Sequence, residues 1–313
     1  MHNIAVIGAG VSGLTCARQL QQAGHRVNIF SRDLPEQTVS AVAAAIWFPF
    51  HAQPRAAVDR WSRRCYKVLQ RLSEQEAQSG ISMVDFKVLL EADTDTYWNA
   101  ALPEVSMRYL EAEAVPEGFT GVQLIQVPMC DSSVYLPWLY QSFLDAGGRF
   151  IQHEIKTLQD LAPHYDHLIN CSGLGAEKLA GDDSVYPVRG QVLRIPRSEL
   201  DNAILDDQMP KRLAYVLPRR GDIILGGTAV AHRESMEADH NETLHILRLC
   251  QRLHPALQQP HILEVKVGLR PGRPAIRLER EAGTNIIHNY GHGGSGYTVS
   301  WGCAEDVAQL VAG

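Results

Sequence analysis

Two arginines in the stretch VGLRPGRPAIRLERE, residues 267–281, are each followed by a proline. Proline fixes its own φ and pushes the residue before it out of the helical region, so Arg270 sits on an extended backbone that resists re-aiming. A guanidinium held in this way suits a carboxylate gripped through two parallel hydrogen bonds. From this stretch alone an ordinary surface or ion-pairing arginine is the favoured reading, and the rest of the chain has to decide.

A second kind of chemistry is written in glycine. Gly8, Gly10 and Gly13 form G-x-G-x-x-G in IGAGVSG, directly after the apolar run NIAVIG and at the start of a helical pattern. In that context the first glycine permits a tight turn, the second lets backbone approach a pyrophosphate, and the third allows close helix–strand packing. The helix N-terminus then offers free N–H groups to the phosphates. The next strand ends in SRD, which places Asp33 at or just past the position of a ribose-binding acid. On that local ground NAD, NADP and FAD all stay open.

The C-terminal loop HNYGHGGSGYTVSWG holds five glycines in fifteen residues and runs into a helix. Such a loop brings backbone amides up to a planar ligand, and the helix N-terminus behind it would stabilise negative charge at the pyrimidine edge of a reduced flavin. Tyr290, Tyr297 and Trp301 are interleaved in it, which argues for packing. An N-terminal fingerprint combined with this remote segment leans towards FAD. His288 and His292 stand four apart, a spacing that binds zinc from a helix, but the surrounding glycines disfavour a helix and no carboxylate lies between them. No metal site is expected.

These residues need a frame. The chain of 313 residues is 45% hydrophobic and 20% charged, enough for about two domains with a sizeable core. Its net charge of −6 argues against nucleic acid or an anionic membrane as partner. No apolar run approaches the roughly 20 residues that span a bilayer. The N-terminus enters a strand pattern at once, with no secretion signal, and the six scattered cysteines read as free thiols in a reducing cytoplasm.

NIAVIG, VSGLTCARQLQQAG and HRVNIF read as a βαβ unit. Helices are expected over residues 54–80, over YLPWLYQSFLDAGG (residues 135–148), and over NETLHILRLCQRLHPAL with Asn241 as its cap. RFIQHEI reads as a strand, HLINCSGLGAEKLAG repeats the strand, glycine turn, helix order, and residues 215–227 read as a hairpin around Arg219, Arg220 and Gly221. βαβ elements at both ends with an antiparallel middle predict a nucleotide domain built from distant segments, with a second domain inserted into it.

The motifs VIGAGVSGL, SRDLPE, AAAIWFPF, NCSGLGA, PVRGQ, AYVLPR…GG, VGLRPGRPAIRLERE and HNYGHGGSGY…SWGCAEDVAQLV occur in this order over nearly the whole chain. Together they resemble the D-amino acid oxidase family of FAD enzymes; the SRD form also resembles a family variant, which counts against NAD. The resemblance implies an α/β fold, with a Rossmann-like, glutathione-reductase-like FAD domain (residues 1–50, 129–187 and 271–313). An inserted α+β substrate domain on an antiparallel sheet would take residues 51–128 and 188–270. It implies that Arg270 grips a substrate α-carboxylate, that the Tyr215 hydroxyl donates to it, and that the Gly294 carbonyl receives the amine. For the cofactor it implies Gly8, Gly10, Val11, Ser12 and Gly13 at the pyrophosphate, with Arg32, Asp33 and Ile155 at the adenosine end. Ala44, Ala45 and Trp47 would lie along the flavin, with Ser172, Gly173 and Gly293 close by. Gly294, Gly296, Tyr297 and Thr298 would approach its pyrimidine edge.

Two departures stand out: Lys211 and Arg212 replace a tyrosine-bearing lid, and Phe48 stands where some members have glutamine. The implied reaction is oxidative deamination of D-amino acids with O₂ as acceptor. D-aspartate oxidation, and glycine or secondary-amine oxidation, are the alternatives on the same fold. A flavin-binding protein without turnover is disfavoured by Arg270, Tyr215 and the glycine loop together. The expected partners are a D-amino acid and O₂, with no nucleic acid or membrane and a homodimer left open. The location expected is cytoplasmic, the chain ending without a peroxisomal S-K-L tripeptide.

Overall fold

A computed structural model describes residues 1–103, 106–200, 202–208 and 212–313. The chain opens with β1 (Asn3–Ile7), α1 (Val11–Gln22) and β2 (Arg26–Ser31), followed by α2 (Arg55–Gln75), β3 (Ile81–Leu90), β4 (Met107–Tyr109) and β5 (Gly121–Cys130). It continues through α3 (Ser132–Asp145), β6 (Arg149–Gln152), β7 (His167–Asn170), α4 (Ala176–Leu179), β8 (Tyr186–Pro196), β9 (Ala203–Gln208), β10 (Arg212–Pro218) and β11 (Asp222–Gly226). The last elements are β12 (Val230–Ala231), α5 (His240–Leu253), β13 (Glu264–Gly272), β14 (Arg277–Arg280), β15 (Ile286–Tyr290) and α6 (Gly296–Ala312).

Two sheets result. The first has the order β14-β15-β7-β1-β2-β6, parallel throughout except for β14. The chain enters at its centre, steps to β2 on one side, and later returns to β7 on the other. That reversal opens a crevice at the carboxyl ends of β1 and β7, the place where such sheets bind ligands. β1 is apolar because both of its faces are covered: Ile4, Ala5 and Val6 are fully buried. The second sheet runs β12-β8-β11-β10-β9-β3-β5-β4, with β13 also on β8, and is antiparallel except where β3 meets β9.

The helix expected over 54–80 runs as α2 only to Gln75, ending in a short turn at Ala77–Ser79 before Gly80. It buries Val58, Trp61, Cys65 and Leu69, three or four residues apart, and packs against α6. Trp61 Nε1 donates to Asp306 at 2.7 Å, and Arg60 donates to the same carboxylate at 3.0 Å. α3 starts three residues before the sequence signal, because Asp131 caps it, accepting from the Ser133 amide at 3.1 Å. The cap of α5 is Asp239 and not Asn241: its carboxylate accepts from the Asn241 and Glu242 amides at 2.9 and 3.2 Å. An aspartate two residues earlier outcompetes an asparagine that is already in the first turn. All six cysteines are buried free thiols, and burial pushes Cys65 up to about 11 and Cys250 up to about 12.

Residues 43–50 link β5 of the second sheet to α6. Ile46 bridges to Met129, the Trp47 amide donates to the Pro128 carbonyl at 2.9 Å, and the Phe48 amide donates to Thr298 Oγ1 at 3.0 Å.

Candidate active site

Arg270 lies on β13, whose extended run pairs with β8 from Glu264 to Gly272. Its guanidinium lies against Gly190 of β8: a methyl there would sit 2.2 Å from Arg270 Nη1. Only a glycine lets the planar group approach so closely. Nη1 donates to the Thr228 carbonyl at 3.0 Å, and among the described residues no carboxylate pairs with Arg270. A half-buried guanidinium of this kind keeps donors free for an anion.

Tyr215 supplies the second arm. It stands on β10 opposite Gly226 of β11, and its ring lies where a side chain at Gly226 would be, 2.1 Å from that methyl position. Arg270 hydrogen-bonds the Tyr215 side chain. Burial pushes the phenol up and the adjacent cation pulls it back, with the first effect larger. The phenol therefore keeps its proton and can donate it to the same anion.

β13 also packs against three turns, at 39–42, 173–175 and 293–295. They ring the carboxyl ends of β1 and β7. Gly8 there has φ of +106°, and a methyl on Gly13 would lie 2.0 Å from the Gly8 carbonyl oxygen, so the third glycine of the fingerprint allows the helix to close on the turn. Gly10 caps α1 without a side chain, and Ser40 Oγ accepts the Val11 amide at 3.0 Å. The amides of Ser12 and Gly13 belong to the same first turn, the kind of helix end that suits an anion.

The C-terminal loop closes the far side. His292, buried with its pKa depressed to about 4 by desolvation, is a neutral ring spanning Asn289 Oδ1 at 3.0 Å and Ser12 Oγ at 3.4 Å. His288 turns elsewhere, to Glu281 and Asn170. Gly294 lies against Phe50, whose ring would be 2.7 Å from a methyl at that position. Ser295, the N-cap of α6, spends its hydroxyl on the Phe50 carbonyl and caps no amide of its own helix. The positive end of α6 is therefore left without a side-chain cap.

A model of the FAD dependent oxidoreductase family (DAO) matches residues 3–310. The chain belongs to that family. A D-amino-acid oxidase of Rubrobacter xylanophilus is 40% identical over 311 residues, spanning 98% of this chain and 94% of the relative. One from Streptomyces coelicolor is 38% identical over 317 residues, spanning 99% and 96%. The crystal structure of glycine oxidase from Geobacillus kaustophilus shares the fold, with a TM-score of 0.83 at 18% identity over 100% of this chain and 95% of that one. The cofactor of this DAO-family chain is FAD. The crevice fits it: a helix end whose N-cap is a glycine for the pyrophosphate, glycine-lined turns for a flat ring, and a second helix end without a side-chain cap for its negative edge.

The residues expected from the sequence are not all alike in this setting. Arg273 points away from the clamp, its Nε donating to Asp182 at 2.9 Å and its Nη1 to the Ala275 carbonyl at 2.6 Å. The Thr298 hydroxyl is used twice, donating to the Phe48 carbonyl and accepting its amide. The Tyr297 hydroxyl likewise donates to the Ser40 carbonyl at 2.9 Å. Trp47 turns its ring into the core, with Nε1 on the Ser62 carbonyl at 3.0 Å. Ala45 holds φ of +59°, a conformation strained for alanine, and its carbonyl accepts the Cys130 amide at 3.0 Å. Ala44 is half-buried beside it.

Arg32 and Asp33 pair with each other at 2.6 Å past the end of β2, and Ile155 packs near Phe30. Ser172 Oγ donates to Asn170 at 2.6 Å, while Gly173 and Gly293 take φ of +58° and +54° in their turns. Arg212 is not a free lid cation: Asp206 and Glu91 both bind its guanidinium. Lys211 lies outside the described residues. Sequence reasoning missed Gly190, Thr228 and Ser40; the glycine in PVRGQ was the available signal for the first of these.

Proposed function

We propose that this FAD enzyme oxidises D-amino acids to imino acids, which water converts to 2-oxo acids and ammonia while O₂ is reduced to H₂O₂. The observation that carries the reading is the Arg270 guanidinium, held flat on Gly190 beside the Tyr215 hydroxyl and without a carboxylate partner among the described residues. A substrate carboxylate would complete it, bound by two guanidinium donors and the phenol. The Gly294 carbonyl, on the turn that packs against β13, would accept a hydrogen bond from the substrate amine and fix its position. Holding both ends fixes the α-carbon C–H direction, and orientation of this kind lowers a barrier by several kcal/mol. FAD supplies the acceptor for the hydride and passes the electrons to O₂. The roles given to the glycine turns, and the division into an FAD domain (1–50, 129–187, 271–313) and a substrate domain (51–128, 188–270), belong to the same proposal. The full-length similarity to D-amino-acid oxidases supports the D-configuration.

Anaerobic addition of D-alanine or D-methionine should bleach the yellow flavin, and admitting O₂ should restore it with release of peroxide. The L-enantiomers should do neither. A flavin that stays oxidised with every D-amino acid would end this reading.

A further inference from the structure

The face of the sheet that carries Tyr215 also carries a buried carboxylate the clamp does not use. Tyr215 stands opposite Leu205 across the β9–β10 pair. Side chains alternate faces along a strand with a rise of about 3.4 Å, so Asp207 projects from that same face about 7 Å farther along. Its side chain is 2% exposed. His51 Nε2 lies 3.2 Å from its Oδ1, and the Tyr97 hydroxyl donates to its Oδ2 at 3.2 Å.

Asp207, His51 and Tyr97 line a cavity of about 350 Å³, with Arg55 on its wall and Asp93 and Asp95 lining it from exposed positions. Phe50 stands between this cavity and the Gly294 turn: its ring lies against Gly294 on one side and meets the His51 ring edge-on at 4.7 Å on the other. Arg55 is not hydrogen-bonded to Asp207. It lies 4.5 Å over the Tyr97 ring and is paired with Asp59 at 3.6 Å.

We propose that this cavity receives the substrate side chain, and that Asp207 selects D-amino acids ending in a cation, ammonium or guanidinium, over apolar and acidic ones. The proposal rests on the oxidase reading above. A carboxylate has about four acceptor sites, and His51 and Tyr97 occupy two of them. An ammonium at the end of a lysine side chain lies about 6 Å from its α-carbon by standard bond lengths, which carries it well past the groups that would hold the substrate's carboxylate and amine. A charge-assisted bond there is about twice as strong as a neutral one, whereas an acidic side chain would meet the like charge of Asp207.

Peroxide release by the purified holoenzyme tests this with D-lysine, D-arginine, Nε-acetyl-D-lysine, D-norleucine and D-glutamate. For D-lysine and D-arginine kcat/KM should exceed that for D-norleucine by about tenfold or more, with acetylated D-lysine falling to the D-norleucine level and D-glutamate lowest. Asp207→Asn should lower the D-lysine to D-norleucine ratio about tenfold. If that variant fails to hold flavin, the acetylation comparison on the unmodified protein decides alone. D-norleucine or acetylated D-lysine used as well as D-lysine, or a ratio unmoved in a flavin-loaded Asp207→Asn, overturns the proposal and leaves the oxidase reading standing. Absence of flavin reduction by every D-amino acid overturns both.

Discussion

Replacing Arg270 by alanine removes the guanidinium and leaves the substrate carboxylate with the Tyr215 hydroxyl alone. Truncating one partner of a buried, hydrogen-bonded charge pair costs about 2–5 kcal/mol. At 1.4 kcal/mol per decade this is about thirtyfold to a few thousandfold in kcat/KM. Because Arg270 is half-buried and not fully desolvated, the lower half of that range is expected, about a hundredfold. The carboxylate is bound in the ground state as well as at the transition state, so KM should carry much of the loss.

Steady-state peroxide release over a range of D-amino acid concentrations measures this, with flavin absorbance per protein as the control for FAD content. Arg270→Lys should fall in between, since an ammonium cannot present two parallel donors. Arg273→Ala is the contrasting variant, because its partners are Asp182 and the Ala275 carbonyl: it should lower the melting temperature while leaving KM near normal. A KM within threefold of the unmodified enzyme in Arg270→Ala would refute the clamp.

Gly190→Ala places a methyl 2.2 Å from Arg270 Nη1, so it should raise KM about tenfold or more with FAD retained, as read by the same assay. Gly13→Ala brings a methyl 2.0 Å from the Gly8 carbonyl oxygen, where backbone must move, and the protein should purify without its yellow colour. Acid precipitation of the holoenzyme should release FAD into the supernatant, showing that it is held without a covalent bond. Burial raises the Asp182 carboxyl, but hydrogen bonds from Ser184, Tyr290 and Arg273 outweigh it and hold the group below its usual 3.8. The stability it contributes is complete above that unfolded value and lost as pH falls through the folded one. The melting temperature should therefore drop below about pH 4, with a shallower acid slope in Asp182→Asn.

The parts legible in the sequence are those fixed within a few residues. The strand, glycine turn and helix at residues 3–22 are local, because the turn geometry and the apolar run demand those residue types in that order. The stiffness of Arg270 is local too, set by Pro271. Caps were less legible: Asp239 and Asn241 carry equal propensity, and the backbone path into α5 chose between them.

What only the tertiary structure decided is partnership. Arg270 and Arg273 stand in near-identical sequence contexts, each before a proline. One is left with free donors because β8 presents Gly190 beneath it and Tyr215 beside it. The other is consumed by Asp182, which is 91 positions away. Arg212 reads as a lid cation until β9 brings Asp206, and β3 with its following turn brings Glu91, to neutralise it. Asp207 reads as an ordinary acidic residue until the sheet buries it on the face of Tyr215. A side chain's charge and reach are written in the chain, but whether that charge is satisfied depends on groups brought from distant segments, and the packing of the two sheets supplies them.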